Sequence, residues 1–159
     1  MANNYCQWSE YISLNNKEEA DWMKDVLHLN ASKYETPEDE NLDDSEVVQK
    51  ILSKHFGIEL SVDDTECFPG FSHNFHNDQG AHIYAEEFGD IGTAAIILQA
   101  FLKKFRPNEY FSVQWADTCS KPRAGEFGGG AVFITANNLE WMHTGDWVSK
   151  QEVIFQQKV

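Results

Sequence analysis

The sequence predicts an α+β fold in which an antiparallel or mixed sheet carries its helices mostly on one face. Three segments have the alternating apolar pattern of strands: residues 5–14, 68–87 and 109–136. Two segments between them, residues 16–27 and 91–105, have apolar residues at helical spacing. Hairpins combined with crossover helices are typical of the α+β class. The ferredoxin-like split β-α-β arrangement is the predicted topology.

The first elements are a strand and two helices. Residues 5–14 alternate and predict a strand. Asn16 and Glu19 have the spacing of a capping box at the start of a helix. Residues 31–44 are predicted to be a loop. A second helix is predicted from Ser45 to Phe56, because Gly57 is a typical residue just beyond a helix C-terminus.

Residues 68–76 and 81–87 predict a β-hairpin around residues 77–80. If Asp78 and Gln79 form the turn, Phe75 faces His82 and His73 faces Tyr84. One face of the hairpin would then carry Phe71, His73, Phe75, His82 and Tyr84. Neither face is clearly apolar, and a shift of one residue would change every pairing.

The second half of the chain contains the strongest helical pattern. Residues 91–105 place apolar side chains at i, i+3, i+4 and i+7, and Pro107 ends the helix. Two central strands follow, at residues 109–115 and 131–136. Asn137 and Glu140 repeat the capping-box spacing and predict a short helix that ends at residues 144–146. Residues 147–155 fit either a helical turn or an edge strand.

The length of 159 residues fits a single α+β domain over residues 1–159, with an acidic loop and helix insertion at about 31–66. The apolar content of 42% is typical of a globular protein. Three cysteines without a framework spacing indicate reduced thiols and a cytoplasmic location. The N-terminal residues lack a signal-peptide pattern, and the sequence has no apolar run long enough to span a membrane.

The charge is strongly negative and unevenly distributed. The formal net charge is -14, which opposes direct binding to nucleic acids and to anionic membranes. Residues 35–66 contain eleven acids and two bases. One interpretation is a solvated surface that aids solubility. The other is a negative surface that binds a basic partner, formed by Glu35, Glu38, Asp39, Glu40, Asp43, Asp44, Glu46, Asp63, Asp64 and Glu66.

The glycine-rich segment at residues 125–130 does not predict a phosphate-binding loop. It lacks the GxxxxGK[ST] pattern, and it precedes a strand instead of a helix. We expect it to allow a bulge or a close approach of two backbones. Lys121 and Arg123 precede it and form the alternative, an anion-binding loop.

Cysteine and histidine residues give weak indications of chemistry. Cys67, His73, His76 and His82 have no standard zinc spacing, so we predict no metal site and no cofactor. Cys119 has no histidine that the sequence assigns to it as a base, and a buried thiol is the simpler interpretation. We therefore predict no catalytic residue and favour a binding protein over an enzyme.

Three runs in the last fifty residues resemble a group of small acidic proteins of bacteria, phages and plasmids. These are WADTCSKPR at residues 115–123, GEFGGG at residues 125–130 and EWM at residues 140–142. The resemblance implies a mobile-element setting. It implies no activity, cofactor or catalytic residue.

The sequence leaves three functional hypotheses. The first is a small acidic interaction protein, such as an inhibitor that presents a nucleic-acid-like surface to a host nuclease or defence complex. The second is a small-ligand or metal-binding module built from the 71–84 hairpin and the 121–130 loop, with His73, His82, Tyr84, Lys121 and Arg123 as ligand-binding residues. The third is an assembly subunit in which an exposed sheet edge pairs two copies as a homo-oligomer.

Overall fold

The computed structural model of the protein describes residues 3–34 and 43–157. Its strands are β1 (Asn4–Ser13), β2 (Ser72–Phe75), β3 (Gly80–Ala85), β4 (Tyr110–Cys119), β5 (Gly128–Thr135) and β6 (Leu139–His143). Its α-helices are α1 (Lys17–Leu27), α2 (Asp44–Ile51), α3 (Val62–Thr65), α4 (Ile91–Phe105) and α5 (Thr144–Gln156). The α+β class is therefore confirmed.

The six strands form one antiparallel sheet in the order β2-β3-β1-β4-β5-β6. The predicted antiparallel sheet is present. A ferredoxin-like sheet has four strands, and the order of six found here does not confirm that predicted topology. Strands β2 and β6 are the two edges, and β1 lies beside β3 and β4 near the centre.

One face of the sheet, which we call the covered face, packs against α1 and α4. Ile12, Val113, Val132 and Ile134 point to this face and are fully buried. Helix α4 buries nine side chains, in agreement with its strong apolar periodicity. The opposite face, which we call the open face, presents mostly exposed side chains such as Tyr11, Gln114 and Phe133.

A buried ion pair joins α4 to the start of α1. The Arg106 guanidinium donates hydrogen bonds to both carboxylate oxygens of Glu19 and to the Ser13 carbonyl oxygen. Burial alone would raise the pKa of Glu19, but hydrogen bonds from Arg106 and from the Asn15 backbone outweigh burial and lower it. This pair fixes how α1 and α4 cross the covered face.

The helix termini follow the capping signals in the sequence. The Asn16 side chain accepts a hydrogen bond from the Glu19 backbone, as the spacing predicts. Helix α2 begins at Asp44 and continues as a π-helical turn over Leu52–Phe56. Gly57 follows with φ 66°, the left-handed conformation that glycine adopts easily at a helix end. The predicted helix at residues 45–56 is thus confirmed.

The hairpin is present, but its predicted register is wrong by one residue. Phe75 pairs with Ala81 instead of His82, and His73 pairs with Ile83 instead of Tyr84. The physical reason is an odd-numbered loop, in which Asn77 adopts φ 56°. His73 and Phe75 therefore lie on the covered face, whereas His82 and Tyr84 lie on the open face.

The short helix predicted after Asn137 is also wrong, because residues 139–143 form edge strand β6. Asn138 closes a hairpin turn with Thr135: its backbone N–H donates to the Thr135 hydroxyl at 3.0 Å. Asn137, three positions before Glu140, thus lies in a turn between two strands and does not cap a helix. Residues 144–156, which the sequence left open between helix and strand, are helix α5.

Candidate functional site

The first part of the predicted acidic surface lies at the N-terminus of α2. Asp43 and Glu46 form a reciprocal capping box, in which each side chain accepts the backbone N–H of the other. Asp44 begins the helix and its side chain is exposed. Acids in the first turn are stabilised by the positive end of the helix dipole, so part of this charge has a structural role.

The second part lies at both ends of the short helix α3. Ser61 and Asp64 cap this helix, and Asp63 and Glu66 are exposed beside it. Helix α3 packs against α2, and the Thr65 hydroxyl donates a hydrogen bond to the Ser45 carbonyl oxygen at 3.0 Å. Acids about twenty residues apart in the sequence therefore lie on adjacent helices.

Two grooves follow this acidic surface. A cavity of about 410 Å³ lies between α1, α2 and α3, and Asp44 and Glu66 line it together with His28. A second cavity of about 420 Å³ is lined by Asp63, Asp64 and Asp90. Asp90 caps the N-terminus of α4, so three helix N-termini contribute acids to this side of the molecule. The sequence analysis missed Asp90 because it lies 24 residues beyond the acidic segment.

The remaining predicted acids, Glu35, Glu38, Asp39 and Glu40, lie outside the described residues. Within residues 3–34 and 43–157, the ion pairs use other acids, such as Asp21, Asp25 and Asp78. In the same ranges, the carboxylates of Asp44, Asp63 and Glu66 form no hydrogen bond and no ion pair. The surface defined by Asp43, Asp44, Glu46, Asp63, Asp64 and Glu66, called the acidic surface below, is therefore the described part of the predicted partner site.

A second candidate site lies on the open face, where His82 and Tyr84 come together. Their rings stack with centroids 4.7 Å apart. The Ser9 hydroxyl is 2.8 Å from His82 Nε2, and Asn74 Nδ2 donates to the Tyr84 hydroxyl at 3.2 Å. These side chains line an open cavity of about 760 Å³. The sequence analysis missed Ser9 and Asn74, which only the correct strand register places beside His82.

The open face is almost free of charge. Along the six strands, Glu140 on edge strand β6 is the one Asp, Glu, Lys or Arg side chain that the register places on this face. Elsewhere the face carries hydroxyl, amide and aromatic side chains: Gln7, Ser9, Tyr11, Asn74, His82, Tyr84, Tyr110, Ser112, Gln114, Thr118 and Phe133. The charge of this acidic protein is therefore carried by its helices and loops.

His73, predicted to bind a ligand beside His82, lies on the covered face instead. Its ring is 4.7 Å from that of His28 and also contacts Phe75. Burial lowers the pKa of His73, and the neighbouring His28 lowers it further. His73 Nδ1 is buried without a hydrogen-bond partner in the described residues. Its role is packing between β2 and the end of α1.

Lys121 and Arg123 lie in the loop before β5, away from the hairpin cavity. Arg123 is 3.7 Å from Glu126, which also accepts a hydrogen bond from the Cys119 thiol at 2.9 Å. Residues 125–128 of this loop line a cavity of about 370 Å³ with Cys6 and Phe88. The hairpin and the loop thus line separate cavities and do not form the joint pocket that the second hypothesis requires.

The glycine-rich segment allows two backbones to approach closely. Gly129 has φ 150°, and a Cβ atom there would overlap the Trp115 carbonyl oxygen. The Trp115 ring of β4 lies over Gly130 of β5. It also contacts the rings of Trp141 and His143 on β6. The segment therefore packs strands β4, β5 and β6 together, which is the tight approach that the sequence analysis expects.

Two of the three thiols, those of Cys6 and Cys119, are placed unfavourably for nucleophilic chemistry. Burial raises the pKa of the Cys6 thiol, and the neighbouring Asp117 carboxylate raises it further. Cys119 is buried and donates to Glu126, and no described histidine is recorded in contact with it. Among the described residues, no three His, Cys, Asp or Glu side chains are arranged to hold a metal ion.

Comparisons with protein-family models, with curated proteins and with solved structures gave no match. In the described residues, no helix combines the length and the apolar character needed to cross a membrane. The arguments for function therefore come from the surfaces described above.

Proposed function

We propose that this protein is a small acidic interaction protein that binds a basic surface on a partner protein. The observation that carries the proposal is the clustering of acids on the adjacent helices α2 and α3, with Asp90 of α4 beside them. Three of these carboxylates, on Asp44, Asp63 and Glu66, form no bond within the described residues. They are free to bind Lys and Arg side chains of a partner.

The electrostatics favours a protein partner of opposite charge. A net charge of -14 raises the rate at which a basic partner arrives and repels nucleic acids. Capping bonds hold Asp43, Glu46 and Asp64 in place, so part of the surface is preorganised and loses little side-chain freedom on binding. The resemblance to mobile-element proteins makes a host nuclease or defence complex, whose basic channel normally receives nucleic acid, the partner that we propose.

A pull-down tests this proposal. Immobilised protein is incubated with bacterial lysate at about 50 mM and about 500 mM salt, because screening of exposed charges increases over this range. We expect a basic protein that is retained at low salt and released at high salt. The triple variant Asp44→Lys, Asp63→Lys and Glu66→Lys changes no capping bond, and we expect it to lose this partner.

A matched control separates the acidic surface from the overall charge. Glu18, Glu140 and Glu152 are exposed acids on α1, β6 and α5, and their change to lysine alters the net charge equally. We expect this control variant to retain the partner more strongly than the first triple variant. Equal loss in both variants, or retention in both, would contradict a specific acidic site.

A second candidate function, binding of a small uncharged ligand, is favoured by the open-face cavity. The hydrogen bond between Ser9 and His82 and the stacked His82–Tyr84 pair place donors, acceptors and a flat aromatic surface beside one another. The absence of Lys and Arg from the strands of this face disfavours phosphate and carboxylate ligands. A sugar or a nucleoside fits this chemistry.

An NMR titration with adenosine and with glucose tests the second function. We expect selective shifts at residues that line the cavity, and loss of these shifts in Tyr84→Ala. Tyr110→Ala is the matched control, because Tyr110 stacks on Phe133 at 4.8 Å on the same face and does not line this cavity. No shift with either probe would exclude these two ligand classes.

We also propose that strands β1 to β4 form a split β-α-β unit of the ferredoxin-like type, extended by β5 and β6. The order β2-β3-β1-β4 supports this interpretation, as do helices α1 and α4 in the two crossover connections. Superposition of an experimental structure on ferredoxin-like domains tests it. A left-handed crossover in either connection would contradict it.

A further inference from the structure

Helix α5 adjoins β5 and β6 but packs no side chain into the core of the described chain. None of its thirteen residues is buried, although the helix contains Trp147, Val148, Ile154 and Phe155. The Trp147 side chain is 60% exposed and that of Phe155 is 69% exposed. A helix of about this length is marginal in water by itself, and most helices in proteins are stabilised by packing of an apolar face. Within the described chain, α5 therefore lacks the packed apolar face that usually stabilises a helix.

The large apolar side chains of α5 lie mainly on one side. At 100° per residue, Trp147, Val148, Ile154 and Phe155 occupy about a third of the circumference, with Gln151 between them. No charged residue lies within this stripe; Asp146, Lys150 and Glu152 lie outside it. Val153 is also exposed but lies on the other side of the helix, and Trp141 and Met142 of β6 point to opposite faces of the sheet, so none of the three extends the stripe. We call this stripe the C-terminal surface.

We infer that the C-terminal surface joins two copies of this chain in a two-fold dimer through α5. In an antiparallel pair of α5 helices centred between residues 150 and 151, Trp147 of one copy meets Ile154 of the other. The same stripe thus complements itself, as a two-fold interface requires. Edge strand β6 lies next to this pair and has one side without a neighbouring strand in the described sheet.

The exposed area fits a weak, reversible pair. An aromatic side chain buries about 150–250 Å² in full, so Trp147 and Phe155 together expose roughly 280 Å². The exposed parts of Val148 and Ile154 add to this value. Two copies would cover on the order of 900 Å² in total, which is the size of a weak or transient interface.

Charge explains why the occupant is a second copy and not the proposed basic partner. A basic protein is attracted to carboxylates, and the stripe contains none. Two chains of net charge -14 repel each other and can associate only where their charged surfaces stay apart. His28 beside the acidic groove packs on His73 of β2, whereas α5 adjoins β5 and β6 at the other end of the sheet. Pairing through α5 therefore directs both acidic surfaces outwards.

Sedimentation equilibrium of the full chain between about 1 μM and 100 μM tests the dimer. We expect a reversible dimer for the unchanged protein. The double variant Trp147→Glu and Phe155→Glu should weaken self-association at least tenfold, because the acids would be buried facing each other. Phe88→Glu is the matched control: Phe88 is 70% exposed but lines the cavity beside Cys6, and its variant should dimerise normally.

A cross-linking experiment tests the helix pairing even where the double variant unfolds. In a Cys67→Ser background, which removes the exposed native thiol, Gln151→Cys should form a disulfide-linked dimer under mild oxidation. Ser149→Cys places the thiol on the other side of α5 and should form at least tenfold less of the disulfide-linked dimer. A monomer throughout the concentration range, equal cross-linking at both positions, or dimerisation unaffected by both glutamates would overturn the inference. Capture of a different protein by a monomeric chain would also overturn it.

Discussion

Helices α4 and α5 are similar in length and both contain large apolar side chains, yet their surroundings are opposite. Helix α4 buries nine of its fifteen residues against the covered face of the sheet, whereas α5 buries none of thirteen. The same helical spacing therefore serves the core of one chain in α4 and, in our proposal, contact with a second chain in α5. Three pairs of variants would break or sharpen this comparison, and a fourth prediction extends it to the two faces of the sheet.

The largest difference is expected between Phe101 of α4 and Phe155 of α5. Phe101 is fully buried against Trp22, Phe105 and Phe111, so Phe101→Ala leaves a cavity and should lower the free energy of unfolding by about 3–5 kcal/mol. Phe155→Ala, measured in dilute protein, should change it by less than about 0.5 kcal/mol. Urea unfolding followed by circular dichroism measures both. Similar losses would show that α5 packs on its own chain.

Loss of the ion pair between Arg106, at the end of α4, and Glu19 of α1 should also lower the free energy of unfolding strongly. Arg106→Met leaves Glu19 buried without its cation and should cost about 3 kcal/mol of unfolding free energy. Lys103→Met, on the exposed side of the same helix, should cost less than about 0.5 kcal/mol. Urea midpoints compare the two variants. The double variant Arg106→Met and Glu19→Met should recover stability, because no unpaired charge remains.

Two glycines near α5 should respond in opposite directions. Gly130→Ala places a methyl group against the Trp115 ring and should lower stability by about 2 kcal/mol. Gly145 lies in the first turn of α5 with open space around it, so Gly145→Ala should raise stability by up to about 0.5 kcal/mol through helix propensity. Thermal unfolding measures both changes. Loss of stability in Gly145→Ala would mean that α5 has a neighbour within its own chain.

The smallest effect concerns pH and the two faces of the sheet. Burial lowers the pKa of His73 from its ordinary value of 6.5, so the unfolded chain takes up a proton more readily than the folded one. His73 therefore contributes stability that is complete above pH 6.5 and is lost as pH falls through its folded pKa. We expect a small fall in the free energy of unfolding, measured by urea midpoints at decreasing pH. His73→Phe should remove this part of the pH dependence. If the variant and the unchanged protein lose stability equally as pH falls, His73 is not the cause.

Predictions from the sequence were right where the deciding residues lie within one segment and wrong where they lie in different segments. Helix α4 was predicted with its bounds, because its apolar spacing, its N-cap and Pro107 all act within one segment. The hairpin register was wrong because neither face is clearly apolar and the loop length depends on the backbone conformation of Asn77. Ser9 and Asn74 were missed for the same reason, since their proximity to His82 depends on that register.

The acidic segment gives a mixed result. The sequence predicted a concentration of charge, and the six described acids lie on the adjacent helices α2 and α3. It did not predict that Asp43, Glu46 and Asp64 would act as helix caps, or that Asp90 would join the same side. The caps at Asp43 and Asp64 were missed because Asp and Ser are also common in turns, and the acidic segment has no apolar spacing that marks where its helices begin.

The amino-acid sequence by itself determined the α+β class, the position of α4 and the strongly negative charge, because these depend on composition and on spacing within single segments. The tertiary structure alone decided which strands are neighbours, which face of the hairpin is covered, and that residues 139–143 are a strand and residues 144–156 a helix. The physical reason is that register and edge position are set by contacts between distant segments. A short segment with little burial carries too weak a local preference to fix them.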